Sequence, residues 1–438
     1  MGTTMQDRVR RRTQRLLTAA AGLAMLLPAA AEATNGYFQH GYGTASKALA
    51  GAGAALSTDA LAPSINPAGI AFTGNRVEGG LSFFHPKRSV KVTGQASQPG
   101  NLLTESEIDS DRPLFFIPNL GVSYQASERL ALGVALYGNG GINTEFPAFD
   151  RQCPDPQSGQ PVPGSGVFCA GEAGVDLMQL FLSPTAAYKV TEDWSVGVSP
   201  ILAYQRFKAE GLESFAPLSQ QPDALSGNGA SDSFGAGVRV GVQGAATDWL
   251  RLGASYKSRI YMSRLDGFEG LFAEQGSFDV PPSWTVGAAV RPFEDLWLLV
   301  DVERILYSNI PAVGNPLNFG APLGSDSGSG FGWSDMTVVK IGAQWQATAD
   351  LTLRAGFSTT SQPVPEDQLL LNIVAPGVVE EHFTAGIGYR FTENWQLDAA
   401  FLYAPTVTVS GRNPIDPAQD ISVSLGEFEA TLGLSYLF

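Results

Sequence analysis

The chain has 438 residues, of which 44% are hydrophobic and 16% charged, with a formal net charge of −15 and 50 glycines. That acidic balance excludes a nucleic-acid surface, which needs a basic footprint. Mean hydropathy is near zero with one continuously apolar stretch, which excludes a bundle of membrane helices and favours many two-faced strands.

The apolar stretch comes first. A basic run from Arg8 to Arg15 precedes "LLTAAAGLAMLLPAA" and a small-residue "AEA" at 31–33. The apolar part is too short to cross roughly 30 Å of hydrocarbon, and the pattern predicts a cleaved secretory signal over residues 1–33. An uncleaved anchor is the alternative. Cleavage removes five Arg, one Asp and one Glu and takes the charge from −15 to −18.

Residues 34–75 lack strand alternation. "SKALAGAGAAL" is rich in small residues, and in "SINPAGI" Asn66 can cap a helical turn with Pro67 at its first position, Ala68 following and Gly69 allowing a tight exit. The expectation is a compact hatch packed in a lumen; a polar periplasmic linker is the competing reading.

From Arg76 to Phe438 the alternation has period two. In "WLRLGASYKSRIYM", Leu250, Leu252, Ala254, Tyr256, Ile260 and Met262 are expected on one face, and Arg251, Lys257 and Arg259 on the other. Short turns such as "SER" (127–129) and "TED" (191–193) alternate with long loops, and six turns and seven loops separate fourteen strands. Long strands, this alternation and aromatics near strand ends (Trp194, Trp249, Trp395, Tyr261, Tyr403) predict an all-β fold. The expectation is a 14-stranded antiparallel transmembrane β-barrel of the outer-membrane kind, closed because lipid satisfies no backbone group. Charged faces then point inward; Arg251, Lys257, Arg259 and Arg354 pair with lumen acids or meet a substrate carboxylate. Gly138, Asn139, Gly140 and Gly141 interrupt one strand and suggest a bulge, kink or close backbone approach. Cys153 and Cys169 share a Pro/Gly-rich loop and can close a disulfide in an oxidising compartment, free thiols being the alternative. Leu212, Phe215, Leu218, Leu265, Phe268, Leu271 and Phe272 in two loops suggest an outer capture groove, or simple loop packing.

In this order, "GYGTASKALAGAGAALSTDALAPSINPAG", "LFFIPNLGVSY", "YGNGGINTEF", "VPPSWTVG", "SQPVPEDQ" and the terminal "GLSYLF" resemble the FadL/TodX-type outer-membrane transporters of long-chain fatty acids and aromatic hydrocarbons. The resemblance implies passive uptake of hydrophobic small molecules. Asn139, Gly140 and Gly141 would kink the third strand and open the wall, with Asn66, Pro67 and Ala68 against the kink. Thr34, Asn35, Gly36, Tyr37 and Phe38 would reach an internal binding site. It also implies a monomer among outer-membrane lipid and lipopolysaccharide, its terminal Phe438 read by the barrel assembly machinery, with no cofactor or metal. A general aqueous porin is the main rival. An enzyme finds little support: His40, His85 and His382 sit in no nucleophile motif, and there is no G-x-S-x-G.

Overall fold

The computed structural model describes residues 35–98, 101–155, 158 and 160–438. The signal reading and the contact assigned to Thr34 lie outside the described residues.

Fourteen strands form the wall. In chain order they are β1 (Arg76–Thr93), β2 (Phe115–Gln125), β3 (Leu130–Asn143), β4 (Gly174–Lys189), β5 (Trp194–Glu210), β6 (Ala230–Thr247) and β7 (Leu250–Lys257). They continue as β8 (Ser283–Phe293), β9 (Leu296–Ile305), β10 (Met336–Gln346), β11 (Leu351–Thr360), β12 (Glu381–Arg390), β13 (Trp395–Arg412) and β14 (Asp420–Leu437). Each pairs antiparallel with its chain neighbours, and β14 returns to β1 in register from Arg76↔Leu437 to Thr93↔Asp420. The sheet is therefore a closed barrel, the one strand arrangement whose backbone tolerates hydrocarbon. No described helix is long and apolar enough to cross a membrane.

The period-two alternation sets the two faces. Leu120, Leu132, Val198, Leu202, Val240 and Leu432 are exposed on the outer wall, where lipid covers them. Near the short turns Tyr124, Tyr188, Trp249 and Tyr389 are exposed, and near the long loops Phe116, Phe234, Tyr261 and Tyr403, giving an aromatic belt at each interface. The inner wall carries Lys257, Asp301, Lys340, Arg354, Asp398, Glu427 and Glu429, all buried. An outward Lys or Arg at mid-membrane would cost roughly 2–4 kcal/mol. The alternation predicted for "SRIYM" does not hold. β7 stops at Lys257, Ile260 is fully buried and Tyr261 is 68% exposed, so Ile260 and Met262 leave the lipid face. The chain steps out of register there, and Tyr261 and Met262 pair afresh with Ala236 and Gly235 of β6.

Residues 35–75 are held by groups on the inner wall all round the ring. Lys47 pairs with Glu429 of β14. The amides of Gly53 and Ala54 donate to Asp301 of β9 at 2.7 and 2.8 Å, and that of Ala60 to Glu78 of β1 at 2.7 Å. Arg239 of β6 donates to the Ile65 carbonyl at 2.9 Å, as does Ser255 of β7 at 2.6 Å. Thr384 of β12 joins the backbone of Ala48 and Ala50. A segment without regular structure leaves backbone groups that must be satisfied when buried, and inward charged and hydroxyl side chains satisfy them. Close approach needs glycine: a Cβ on Gly253 would stand 1.8 Å from the Ala54 carbonyl oxygen.

The long loops pack together at the other end. Cys153 and Cys169 are bonded, with Cα atoms 5.7 Å apart, beside a two-stranded ribbon of Asp150–Pro154 and Pro161–Ser165. Arg151 donates to the carbonyls of Asn101, Leu102 and Val167 at 2.6–3.0 Å, and burial pushes its guanidinium down from its ordinary range. Asp416 accepts from Ser97 N and Ser97 Oγ at 2.8 Å and from Asn101 at 2.6 Å, tying the last loop to the first. Those bonds, the Ser97 amide first, hold its carboxyl below the usual range.

Candidate functional site

The wall is interrupted between β2 and β3. Their ladder runs from Gln125↔Ala131 to Asn119↔Tyr137 and stops. Beyond it, Phe115–Pro118 stay paired to β1, while β3 continues on β4 alone, through a register shift between Gly138 and Gly140. Contact resumes farther up, where the Asp111 amide donates to the Glu145 carbonyl at 2.8 Å and the Glu145 amide to Ser110 Oγ at 2.9 Å. The gap is a window with residues 112–118 on one margin and 138–144 on the other.

On the inner side, Tyr37–Gln39 take the place that β2 leaves. Phe38 forms an antiparallel bridge with Gly140. The Gln39 amide donates to the Asn139 carbonyl and the Gly141 amide to the Tyr37 carbonyl, both at 3.0 Å. Gln39 Nε2 donates to the Gly138 carbonyl at 2.7 Å. A Cβ at Gly140 would stand 1.7 Å from the Tyr37 oxygen. The glycine run thus lets a second backbone come within hydrogen-bonding distance.

A cavity of about 630 Å³ joins lumen and window. Its inner end is bounded by His40, Trp333 and Glu427, its floor by Tyr37 and Phe38, and its outer mouth by Phe116 and Met178, which are exposed on the lipid face. Most of its surface is carbon, as suits an apolar guest. Tyr37 packs against Phe38, Tyr307 and Trp333 with ring centroids 5.2, 5.4 and 6.0 Å away. Tyr307 Oη donates to the Asn35 carbonyl, and a Cβ on Gly36 would meet the Tyr307 ring.

Asn35, Gly36, Tyr37 and Phe38 therefore all lie in the lumen. The expected contact of Asn66, Pro67 and Ala68 with the kink is absent. Asn66 caps the 3₁₀ turn Pro67–Phe72 by accepting from the Ala68 amide at 3.1 Å, and its amide group donates to the Val242 carbonyl of β6 at 2.9 Å. Ala68 accepts from Ser195 of β5 at 2.8 Å, and Gly69 lies against Ser57 and Gln243. The close approach that glycine permits is made at β5 and β6 instead: a Cβ on Gly197 would stand 2.4 Å from the Ala68 nitrogen, and one on Gly241 2.1 Å from Asn66 Oδ1.

The four expected lumen cations do not line the cavity. Arg354 pairs with Asp398 at 2.8 Å. Arg259 pairs with Asp279 at 2.6 Å, and Arg251 lies over the Phe72 ring and donates to Ala55 O at 3.3 Å. Lys257 Nζ stands 3.9 Å over the centre of the Phe38 ring, with no hydrogen-bond acceptor among the described residues.

The expected capture groove divides. Leu212, Leu265, Phe268 and Phe272 are buried; Phe268 and Phe272 pack edge-to-face against Phe207, with centroids 4.7 and 4.8 Å away. Leu271 is partly buried against the same core. These five hold the loops together. Phe215, itself buried against Phe168, and the exposed Leu218 border an external groove of about 250 Å³ with Leu317, Phe319, Leu370 and Leu371, which come from loops given no role in the sequence reading. Arg88, Gln39, Trp333 and Tyr307 were missed as well. One local signal was available: Pro118, a residue suited to a strand with an unpaired edge, sits where the ladder ends.

A closed barrel with an apolar outer band, an occupied lumen and a side opening defines an outer-membrane transport protein. Residues 20–422 match the family described as "Outer membrane protein transport protein (OMPP1/FadL/TodX)". The chain belongs to this family, whose members are transport channels for hydrophobic substrates in Gram-negative outer membranes. It is 23% identical over 401 residues to the long-chain fatty acid transport protein of Escherichia coli O6:H1, covering 82% of this chain and 83% of that one. Its fold matches the Pseudomonas putida toluene transporter TodX with a TM-score of 0.64 and 21% identity, over 92% of this chain and all of the other. It matches a Pseudomonas aeruginosa FadL homologue with a TM-score of 0.66 and 17% identity, over 92% and 99%.

Proposed function

We propose that this protein carries apolar small molecules, of the long-chain acid or aromatic hydrocarbon kind, passively from outside the cell into the outer membrane through the side of the barrel. A molecule is captured in the external groove at Phe215, Leu218 and Phe319. It lodges in the cavity over Tyr37 and Phe38 and leaves between β2 and β3. Residues 34–75 act as the hatch. The observation that carries this reading is the end of the β2–β3 ladder at Tyr137, with the vacated edge of β3 bonded to Tyr37–Gln39. Such a bonded strap can peel away without opening the barrel. Burial of apolar surface is worth about 25 cal/mol per Å², and sideways passage into hydrocarbon keeps that gain, whereas an aqueous pore to the periplasm would forfeit it.

The test is a disulfide across the window. A Cβ on Gly138 would lie 2.9 Å from Ile117 Cγ2, so Ile117→Cys with Gly138→Cys can be bonded. In a deletion strain the oxidised variant should lose uptake of labelled oleate and toluene, and reductant should restore it. Full uptake by the oxidised form would overturn the lateral route. The porin reading is tested by planar-bilayer conductance, where a large steady ion current would favour it.

A further inference from the structure

The upper end of the window is held by a clamp that no part of the transport reading requires. Arg88, on the inner face of β1, is 4% exposed. Its guanidinium donates to the carbonyl of Asn143, on the β3 margin, and to that of Arg112, on the β2 margin. Arg112 in turn reaches across the outside of the window to Asp176 of β4 at 2.5 Å, and Asp176 is the register partner of Asn143. Phe115 lies between them, its ring centre 5.5 Å from each guanidinium carbon. One bridge is buried and the other is at the surface, with the Arg112 side chain 44% exposed. Arg88, Arg112, Phe115, Asn143 and Asp176 all line the cavity where it meets the window.

We infer that the Arg88–Phe115–Arg112 clamp fixes the aperture of the side opening and so makes Arg88 and Arg112 the residues that select cargo by girth. The inference rests on the lateral route proposed above. Asn119↔Tyr137 fixes the lower edge of the window with strand pairing. At the upper edge one backbone bond joins Asp111 to Glu145, and Ser110 Oγ accepts from the Glu145 amide; below that point the margins are joined through side chains. Side chains can be released where a ladder cannot, so width at this level depends on the clamp. The planar guanidinium of Arg88 reaches two carbonyls at once, which a lysine ammonium on a flexible stem does not fix in the same geometry. Arg88 and Arg112 are positioning residues: they need not touch cargo to act.

The experiment compares uptake of a slender probe, labelled oleate, with that of a bulky one, labelled pyrene, in the deletion strain. It uses the wild-type chain, Arg112→Ala, Arg88→Gln and Arg88→Lys, with the oxidised Ile117→Cys/Gly138→Cys chain as control. Heat-modifiable gel migration confirms that each barrel is folded. Arg112→Ala should raise the pyrene-to-oleate ratio about threefold, the factor associated with loss of one exposed ion pair. Arg88→Gln should raise it further, and Arg88→Lys should not restore the wild-type ratio. If the oxidised control blocks both probes while the ratio is unchanged in every folded variant, the clamp has no part in selection and the inference is overturned. If the oxidised control passes both probes, the lateral route fails and the clamp inference with it. A purely structural role for Arg88 would lower both rates together and leave the ratio constant, which also overturns it.

Discussion

Gly140 and Tyr37 meet backbone to backbone: a Cβ at residue 140 would stand 1.7 Å from the Tyr37 carbonyl oxygen. The β3 strand and the N-terminal segment can bond here because one of the two residues has no side chain. Gly140→Ala should therefore push Tyr37–Gln39 off the β3 edge. Overpacking of this kind costs about 1–3 kcal/mol, so amide exchange in the peptide spanning residues 37–41 should quicken by about tenfold or more. Hydrogen-exchange mass spectrometry reads this directly, and unchanged exchange would mean that the strap is held elsewhere.

Lys47 and Glu429 form a buried ion pair between the N-terminal segment and β14. Removing one partner strands the other charge. Lys47→Ala should loosen the segment by about 3–5 kcal/mol, whereas Lys47→Met with Glu429→Gln should come close to wild type. Planar-bilayer recordings distinguish the two: a leak current is expected in the single variant and not in the double.

Asp416 gives the loop cluster a pH dependence. Its carboxyl is held below the usual range by the Ser97 amide and by the Ser97 and Asn101 side chains. A group with a depressed folded-state pKa contributes stability above its unfolded value, near 4, and loses it as pH falls through the folded value. Limited proteolysis of the loops should therefore quicken as pH drops below about 4. In Asp416→Asn, cleavage should be faster at pH 7 and should lose that added acid sensitivity.

Cys153 and Cys169 close a loop with a sequence separation of 16. On a chain-entropy basis a closure of this size is worth about 3 kcal/mol. Cys153→Ser with Cys169→Ser should speed protease cleavage within residues 147–174 and leave the heat-modifiable gel shift of the barrel unchanged.

The wall was legible in the sequence because each strand faces lipid on one side and a polar lumen on the other. That contrast writes a two-residue period into the chain, as at Leu252, Ala254 and Tyr256 against Arg251 and Lys257. The step after Lys257 was not legible, since Ile260 and Met262 keep the period while the backbone leaves it. The glycines at the kink could be read, since only a backbone approach or a break explains such a run. Their partner could not: Tyr37–Gln39 and Asn66–Ala68 belong to one aperiodic segment, and which part meets β3 is decided by contacts distant in sequence. The loop apolar residues show the same limit. Phe268 and Leu218 are both apolar loop residues in the sequence, yet one is buried against Phe207 and the other is exposed in a groove. Most lumen cations turned out to serve the N-terminal segment or nearby acids, because unpaired backbone groups within a bore need partners as much as any ligand does.

Residues 35–75 touch β1 through Glu78 and β14 through Glu429, the first and last staves of the cylinder. Eighteen paired positions seal these two strands to each other. The inner segment is thus a second fastening across the seam, a tether between the chain's first and last staves that runs through the bore and not along the wall.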